Sequence, residues 1–162
     1  MSNQISAREQ SRQEQLATLT RGSRLFQIAS DKMDDAFCRR VGINLTDARC
    51  IDLLDVHGGM TAGELAHAAS LSPGAVTTVL DRLERMELVT RTRDESDRRR
   101  VLVELTPRAR ELAWSMYGPI GDYAREYLDG LSNEELELIN RFLEVATEVN
   151  ERRAREVGGG EV

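Results

Sequence analysis

Aromatic side chains are scarce in this 162-residue chain: one tryptophan, three tyrosines and three phenylalanines, 4% of the total. Any core must therefore be aliphatic, and 40% hydrophobic content over a length typical of one domain is enough to build one. Cysteine is nearly absent. Cys38 and Cys50 form no CxxC pair, which excludes a disulfide framework and points to a reducing compartment. Lysine occurs once, at Lys32, so almost all positive charge is carried by arginine. No apolar run approaches the roughly 18 residues of a membrane span. Met1 to Gln15 is polar and lacks the apolar centre of a signal peptide, so a cytoplasmic location away from membranes is expected. There is no GxSxG, no nucleotide-phosphate loop and no His/Asp/Ser set at usable spacing, so no enzyme activity and no cofactor are expected. His57, His67 and Glu64 lack the spacing of a metal site, and no metal is expected.

The net charge of −6 argues against indiscriminate binding to nucleic acid, but the charge is unevenly spread. Pro107 to Val162 holds twelve acidic and seven basic residues, whereas Thr61 to Thr106 is almost balanced and contains the run Arg98, Arg99, Arg100.

What organises the chain lies between Ser72 and Thr106: SPGAVTTVLDRLERMELVTRTRDESDRRRVLVELT. Ser72 is a candidate N-cap, with Pro73 at the first helical position, where its missing N–H costs nothing. Val76, Val79, Leu80, Leu83 and Met86 recur at helical spacing as one buried stripe. The other face carries Gly74, Thr77, Thr78, Asp81 and Arg85, small and polar near the N-terminus as a major groove requires. Leu88–Arg93 and Arg100–Leu105 alternate as half-buried strands around the charged turn DESDRRR. A helix followed by a hairpin with a basic tip is a winged helix-turn-helix.

This segment resembles the MarR family of bacterial transcription regulators. The resemblance rests on SPGAVTTVLDRLERMELVTR, then DRR, then VLVELT. It is supported by Asp97, Arg99 and Leu105-Thr106 at the spacing of the wing, and by Leu65-Ala66 and Leu71-Ser72 before Pro73. It covers about Leu16 to Asn150. It implies a mainly α fold with a small β-wing, dimerised through the N- and C-terminal helices. It further implies sequence-specific binding of double-stranded DNA as a homodimer, most simply repression at a palindromic operator, relieved by a small aromatic effector. Many members carry arginine where this chain has Thr78, so a guanine contact from that position is not carried over.

Along the chain, residues 1–13 are expected to be a flexible polar start and 14–156 a single domain. Its winged core would span about 46–106, with dimerisation helices at about 14–40 and 107–156. The glycine-rich end, 157–162, is expected to be disordered. Leu16, Leu19, Leu25, Phe26, Ile28, Met33 and Phe37 share a broad face of the first helix. Thr46 is the expected cap of the second helix. Met60 is expected to add a third, very short strand to the wing sheet. Thr61–Glu64 and Ser132–Glu135 are capping boxes. Gly118-Pro119 is expected to interrupt or kink the helix that begins at Pro107. Leu136, Ile139, Phe142, Leu143, Ala146 and Val149 stripe the last helix. The terminal helices carry more apolar surface than a small winged helix can bury alone, which implies another chain.

The candidate DNA-contacting residues are Ser72, Gly74, Ala75, Thr77, Thr78, Arg82, Asp97, Arg98, Arg99 and Arg100. Arg82 has two readings, a phosphate contact or a salt bridge to Glu84 or Asp81. For Asp97 the resemblance implies that it orients Arg99; the plainer reading is a turn residue. Trp114 and Tyr117 either line an effector pocket or belong to a dimer core. Two rival functions stay open. One is a thiol-based redox-sensing repressor using Cys38 or Cys50, although apolar neighbours favour inert buried thiols. The other is a winged helix that binds protein rather than DNA.

Overall fold

The computed structural model describes residues 2–93, 97 and 100–158 of the chain. Over these residues the order is α1 (Ser2–Val41), α2 (Leu45–His57), β1 (Met60–Thr61), α3 (Ala62–Ala68) and α4 (Pro73–Arg85). It continues with β2 (Val89–Arg93), β3 (Val101–Leu105), α5 (Pro107–Leu128) and α6 (Asn133–Val157). They fall into two compact units, residues 1–116 and 117–162, with α5 contributing to both.

The first unit is built around a single aliphatic core. Leu65, Leu80, Leu83, Leu88 and Val103 are all but completely buried, joined by Ile51 and Leu54 of α2 and by Leu105 and Ala109. From α1 only its last turns take part, through Cys38, Phe37 and Val41. Truncating one of these leucines to alanine would cost about 2–5 kcal/mol, because the cavity left behind collapses only partly.

Side-chain oxygens set the helix starts. Thr61 and Ser132 each accept from the backbone N–H three residues on, while Glu64 and Glu135 accept from the cap N–H in return, so both expected capping boxes form. Ser72 caps α4 with Pro73 at its first position. For α2 the cap is Asn44, not the expected Thr46. Asn44 Oδ1 accepts from the Asp47 N–H at 2.9 Å, and Asp47 Oδ2 accepts from the Asn44 N–H at 3.2 Å. The reciprocal Asn–Asp box satisfies two backbone donors, which a threonine at position 46 cannot do. α1 begins at Ser2 rather than near Glu14. No proline or glycine occurs before Glu14, and the alanine, arginine, glutamate and glutamine there are good helix formers. Gly118-Pro119 does not break α5, which is helical through Pro119 to Leu128.

The turn from α3 to α4 passes through Ser70 at φ +55°, a left-handed conformation more usual for glycine. It is held by Leu71 N–H donating to Ala66 O at 2.8 Å and Ser70 N–H to His67 O at 3.1 Å. Glu87, at φ +58°, turns the chain from α4 into β2 in the same way. The sheet is antiparallel in the order β1-β3-β2, with Met60 opposite Val103 and Arg91 opposite Val103 from the other side. The two-residue strand expected at Met60 is therefore present, and it makes β3 the central strand.

The second unit contrasts with the first. α6 contains no buried residue. Leu136, Ile139 and Ala146 of its stripe are half-buried, whereas Phe142, Leu143 and Val149 are exposed.

Candidate nucleic-acid interface

α4 is held by its apolar stripe, Val76, Val79, Leu80 and Leu83, with Met86 half-buried at its end. This leaves the opposite face outward. Ser72, Gly74, Thr77 and Thr78 are exposed and Ala75 is half-buried. The first turn of α4 holds no carboxylate, Pro73 has no N–H, and the Ala75 and Val76 N–H groups bond to Ser72, which leaves the exposed Gly74 N–H at the positive end of the helix dipole. Such a terminus is suited to a phosphate. The Ser72 hydroxyl is used internally, accepting from Ala75 N–H at 3.3 Å.

Thr77 and Thr78 turn their hydroxyls back along the helix, donating to Pro73 O at 2.9 Å and Gly74 O at 3.0 Å. That fixes each rotamer. The oxygen lone pairs remain as acceptors for a base amino group, and the methyl groups as contacts for a thymine methyl.

Arg82 forms a salt bridge, as one of its two readings has it, but with a different partner. Its guanidinium holds Asp47 with both arms: Nε donates to Oδ2 at 2.8 Å and Nη2 pairs with Oδ1. Asp47 is completely buried, while the Arg82 side chain is one-third exposed. The bond raises the arginine's pKa further above its ordinary value. Neither Glu84 nor Asp81 is the partner. Asp47 thus closes the cap of α2 and fastens α2 to the last turn of α4.

On the wing, Asp97 and Arg100 are exposed, and the Arg100 N–H donates to Asp97 O at 2.8 Å, closing a turn. Arg100 also reaches α3, where Nη2 donates to Glu64 Oε1 at 2.7 Å. The Glu64 carboxyl is held below the usual carboxylate range, first by the Thr61 backbone N–H, then by the Thr61 hydroxyl and Arg100. Arg98 and Arg99, and with them the expected Asp97–Arg99 pair, lie outside the described residues.

Two arginines of this surface were not anticipated from the sequence. Arg91 bridges β2 to Asp81 and Glu84 of α4, and Arg93 follows on the same face of β2 with no carboxylate partner among the described residues. The alternation T-R-T-R was the available signal. Residues two apart on a strand share a face, so a strand that buries Val89 turns Arg91 and Arg93 to that same side.

Away from this surface, the first unit has a cleft of about 630 Å³ whose apolar walls include Met33, Phe37, Leu112 and Met116 and whose charged groups are Arg40, Arg108 and Glu111. Trp114 does not line it and is 75% exposed; Tyr117 is 39% exposed. Both cysteines are buried. Burial pushes the Cys38 thiol up, with Asp34 and Asp35 adding to it. Burial likewise pushes the Cys50 thiol up to about 11, outweighing Arg49 and Arg82. Neither has the depressed pKa of a reactive thiol. Among the described residues, no three His, Cys, Asp or Glu side chains come together in a way that could hold a metal ion.

The model of the MarR family matches residues 43–101. The HTH-type transcriptional regulator YcgE of Bacillus subtilis is 34% identical over 116 residues, covering 72% of this chain and 75% of its own length. Among solved structures, a MepR variant from S. aureus is similar with a TM-score of 0.64 at 25% identity, over 78% of this chain and 95% of that one. A second MepR variant, bound to an oligodeoxyribonucleotide, is similar with a TM-score of 0.53 at 25% identity, over 78% and 96%.

Proposed function

The chain belongs to the MarR family of DNA-binding transcription regulators, and from that premise we propose that it is a homodimeric repressor of a palindromic operator, relieved by a small ligand. The observation that carries the reading is the outward face of α4: exposed Gly74, Thr77 and Thr78 behind a helix N-terminus free of carboxylates. Thr77 and Thr78 meet base edges in the major groove. The Gly74 N–H at the start of α4 meets a phosphate, and Gly74 and Ala75 let the backbone come close. The wing residues Asp97, Arg98, Arg99 and Arg100 lie over the flanking minor groove, where a narrow A·T-rich segment attracts arginine. Arg82 supports the helix from behind rather than touching DNA.

Two-fold pairing of copies through their terminal helices sets two such faces about one DNA turn apart, which makes the site palindromic and covers promoter DNA. The cleft with Arg40 and Arg108 over apolar walls suits a small amphipathic anion, the natural candidate for release.

The test is a gel shift followed by footprinting on the DNA upstream of the chain's own gene. Two protected half-sites centred about 10 base pairs apart are expected, and Thr77→Ala with Thr78→Ala should weaken binding by about 1–3 kcal/mol while relaxing base preference. Binding that ignores sequence, or a double variant that binds as the parent does, would refute the reading.

A further inference from the structure

The face of α4 that begins with Thr77 does not stay neutral. Asp81 follows Thr77 by four residues and Glu84 by seven, so both continue the same side of the helix. Both side chains are substantially exposed, at 55% and 43%. A helix lying along a groove would bring these carboxylates towards phosphates, and like charges set side by side oppose binding.

Arg91 meets both. From β2 its Nη2 donates to Asp81 Oδ1 at 2.8 Å and its Nη1 to Glu84 Oε2 at 2.6 Å. One planar guanidinium thus binds two carboxylates a helical turn apart, a geometry its fork suits and a lysine ammonium does not. The strand fixes its direction. Arg91 stands opposite buried Val103 in the sheet and therefore on the side facing α4. The bonds to Asp81, and then Glu84, raise the arginine's pKa, so its charge is permanent. All three side chains are partly exposed, at 35%, 55% and 43%, and a surface network of this kind adds little to folding stability. Its consequence lies in binding. Resting on the DNA-binding reading above, we propose that Arg91 is a positioning residue for DNA recognition: it touches no DNA, and holds Asp81 and Glu84 back against the wing, their negative charge partly offset, so that α4 can approach the phosphates.

A four-variant cycle tests this on a duplex selected from a random-sequence pool by the parent protein. Dissociation constants are measured for the parent, Arg91→Ala, Asp81→Asn with Glu84→Gln, and the triple variant. Unfolding curves accompany them, to show that each variant is folded. Arg91→Ala should weaken binding roughly tenfold, the released carboxylates now opposing phosphate. The triple variant, having no carboxylates to hold, should return to within about threefold of the parent, a non-additivity expected only of groups that act together. If the triple variant stays as weak as Arg91→Ala, then Arg91 contacts DNA or merely braces the wing, and the proposal is overturned. An Arg91→Ala variant that binds like the parent overturns it equally. If the parent selects no duplex at all, the failure belongs to the DNA-binding reading instead.

Discussion

Residues 43–105 and the helix α6 have similar supplies of aliphatic side chains and use them in opposite ways. In the first region Leu65, Leu80, Leu83 and Leu88 are at most 1% exposed. In α6, Leu138, Phe142, Leu143, Val145 and Val149 are between 39% and 60% exposed, although the helix has a clean apolar stripe and a complete capping box. Composition does not separate the two; the presence of a partner does. The winged helix closes its own core, whereas the apolar stripe of α6 is left largely exposed. Leu16, Leu19, Leu25, Phe26 and Ile28 of α1 are equally uncovered. A second copy supplying the same helices is the simplest cover.

The contrast can be broken at either end. The largest effect is expected in α6. Phe142→Glu with Leu143→Glu should convert a dimer to a monomer in sedimentation and abolish tight DNA binding, while the helix content of the winged region persists. A dimer that survives both charges would move the interface elsewhere. Next comes Asp47. Asp47→Ala leaves the partly exposed Arg82 guanidinium without its partner and the Asn44 N–H without its acceptor, and should cost about 1–3 kcal/mol in denaturant unfolding. Asp47→Leu combined with Arg82→Met should cost less than Asp47→Ala alone, because no charge is left stranded. Equal losses would show that the cap rather than the ion pair carries the effect.

Ser70 offers a smaller change. Ser70→Val places a β-branched residue at φ +55° and should cost about 1–2 kcal/mol, whereas Ser70→Gly should be tolerated. A valine variant as stable as the parent would mean that the turn relaxes. The smallest effect concerns Cys50. Its folded-state pKa is raised from 9.0 to about 11, so the stability it lends by staying protonated is complete below pH 9 and is lost as pH rises through 11. Alkylation of Cys50 at neutral pH should be negligible until the protein unfolds, and Cys38→Ser with Cys50→Ser should leave any release of DNA by peroxide no different from the parent's. Rapid native-state alkylation would revive the thiol-sensor alternative.

Local chemistry made much of the fold legible in the sequence. The caps at Thr61, Ser72 and Ser132, the stripe of α4 and the two wing strands each depend on residues a few positions apart, and all are found in the structure, although burial alternates only in β3. The misreadings have a common origin. The interactions of Arg82 and Arg100 join residues 35 and 36 positions apart, a distance over which periodicity carries no information. From the sequence, Arg82 therefore reads as a phosphate ligand or the partner of an adjacent acid. Asn44 was passed over because Thr46 also has a capping oxygen, and only the reciprocal bond with Asp47 separates them. Trp114 and Tyr117 drew attention as rare aromatics, yet the described cleft is lined largely by methionine, leucine and phenylalanine beside arginine.

The order β1-β3-β2 leaves β2 as an outer strand with one row of N–H and C=O groups unpaired within the sheet. An outer strand is a template on which any extended segment could add itself, the first step towards fibrils. This one is five residues long and reads Val-Thr-Arg-Thr-Arg, and four of its five residues are exposed. Short length and repeated positive charge discourage a like strand from docking alongside, since two such edges would bring arginines against arginines. Self-association through helices can therefore coexist with an open sheet without competition from aggregation.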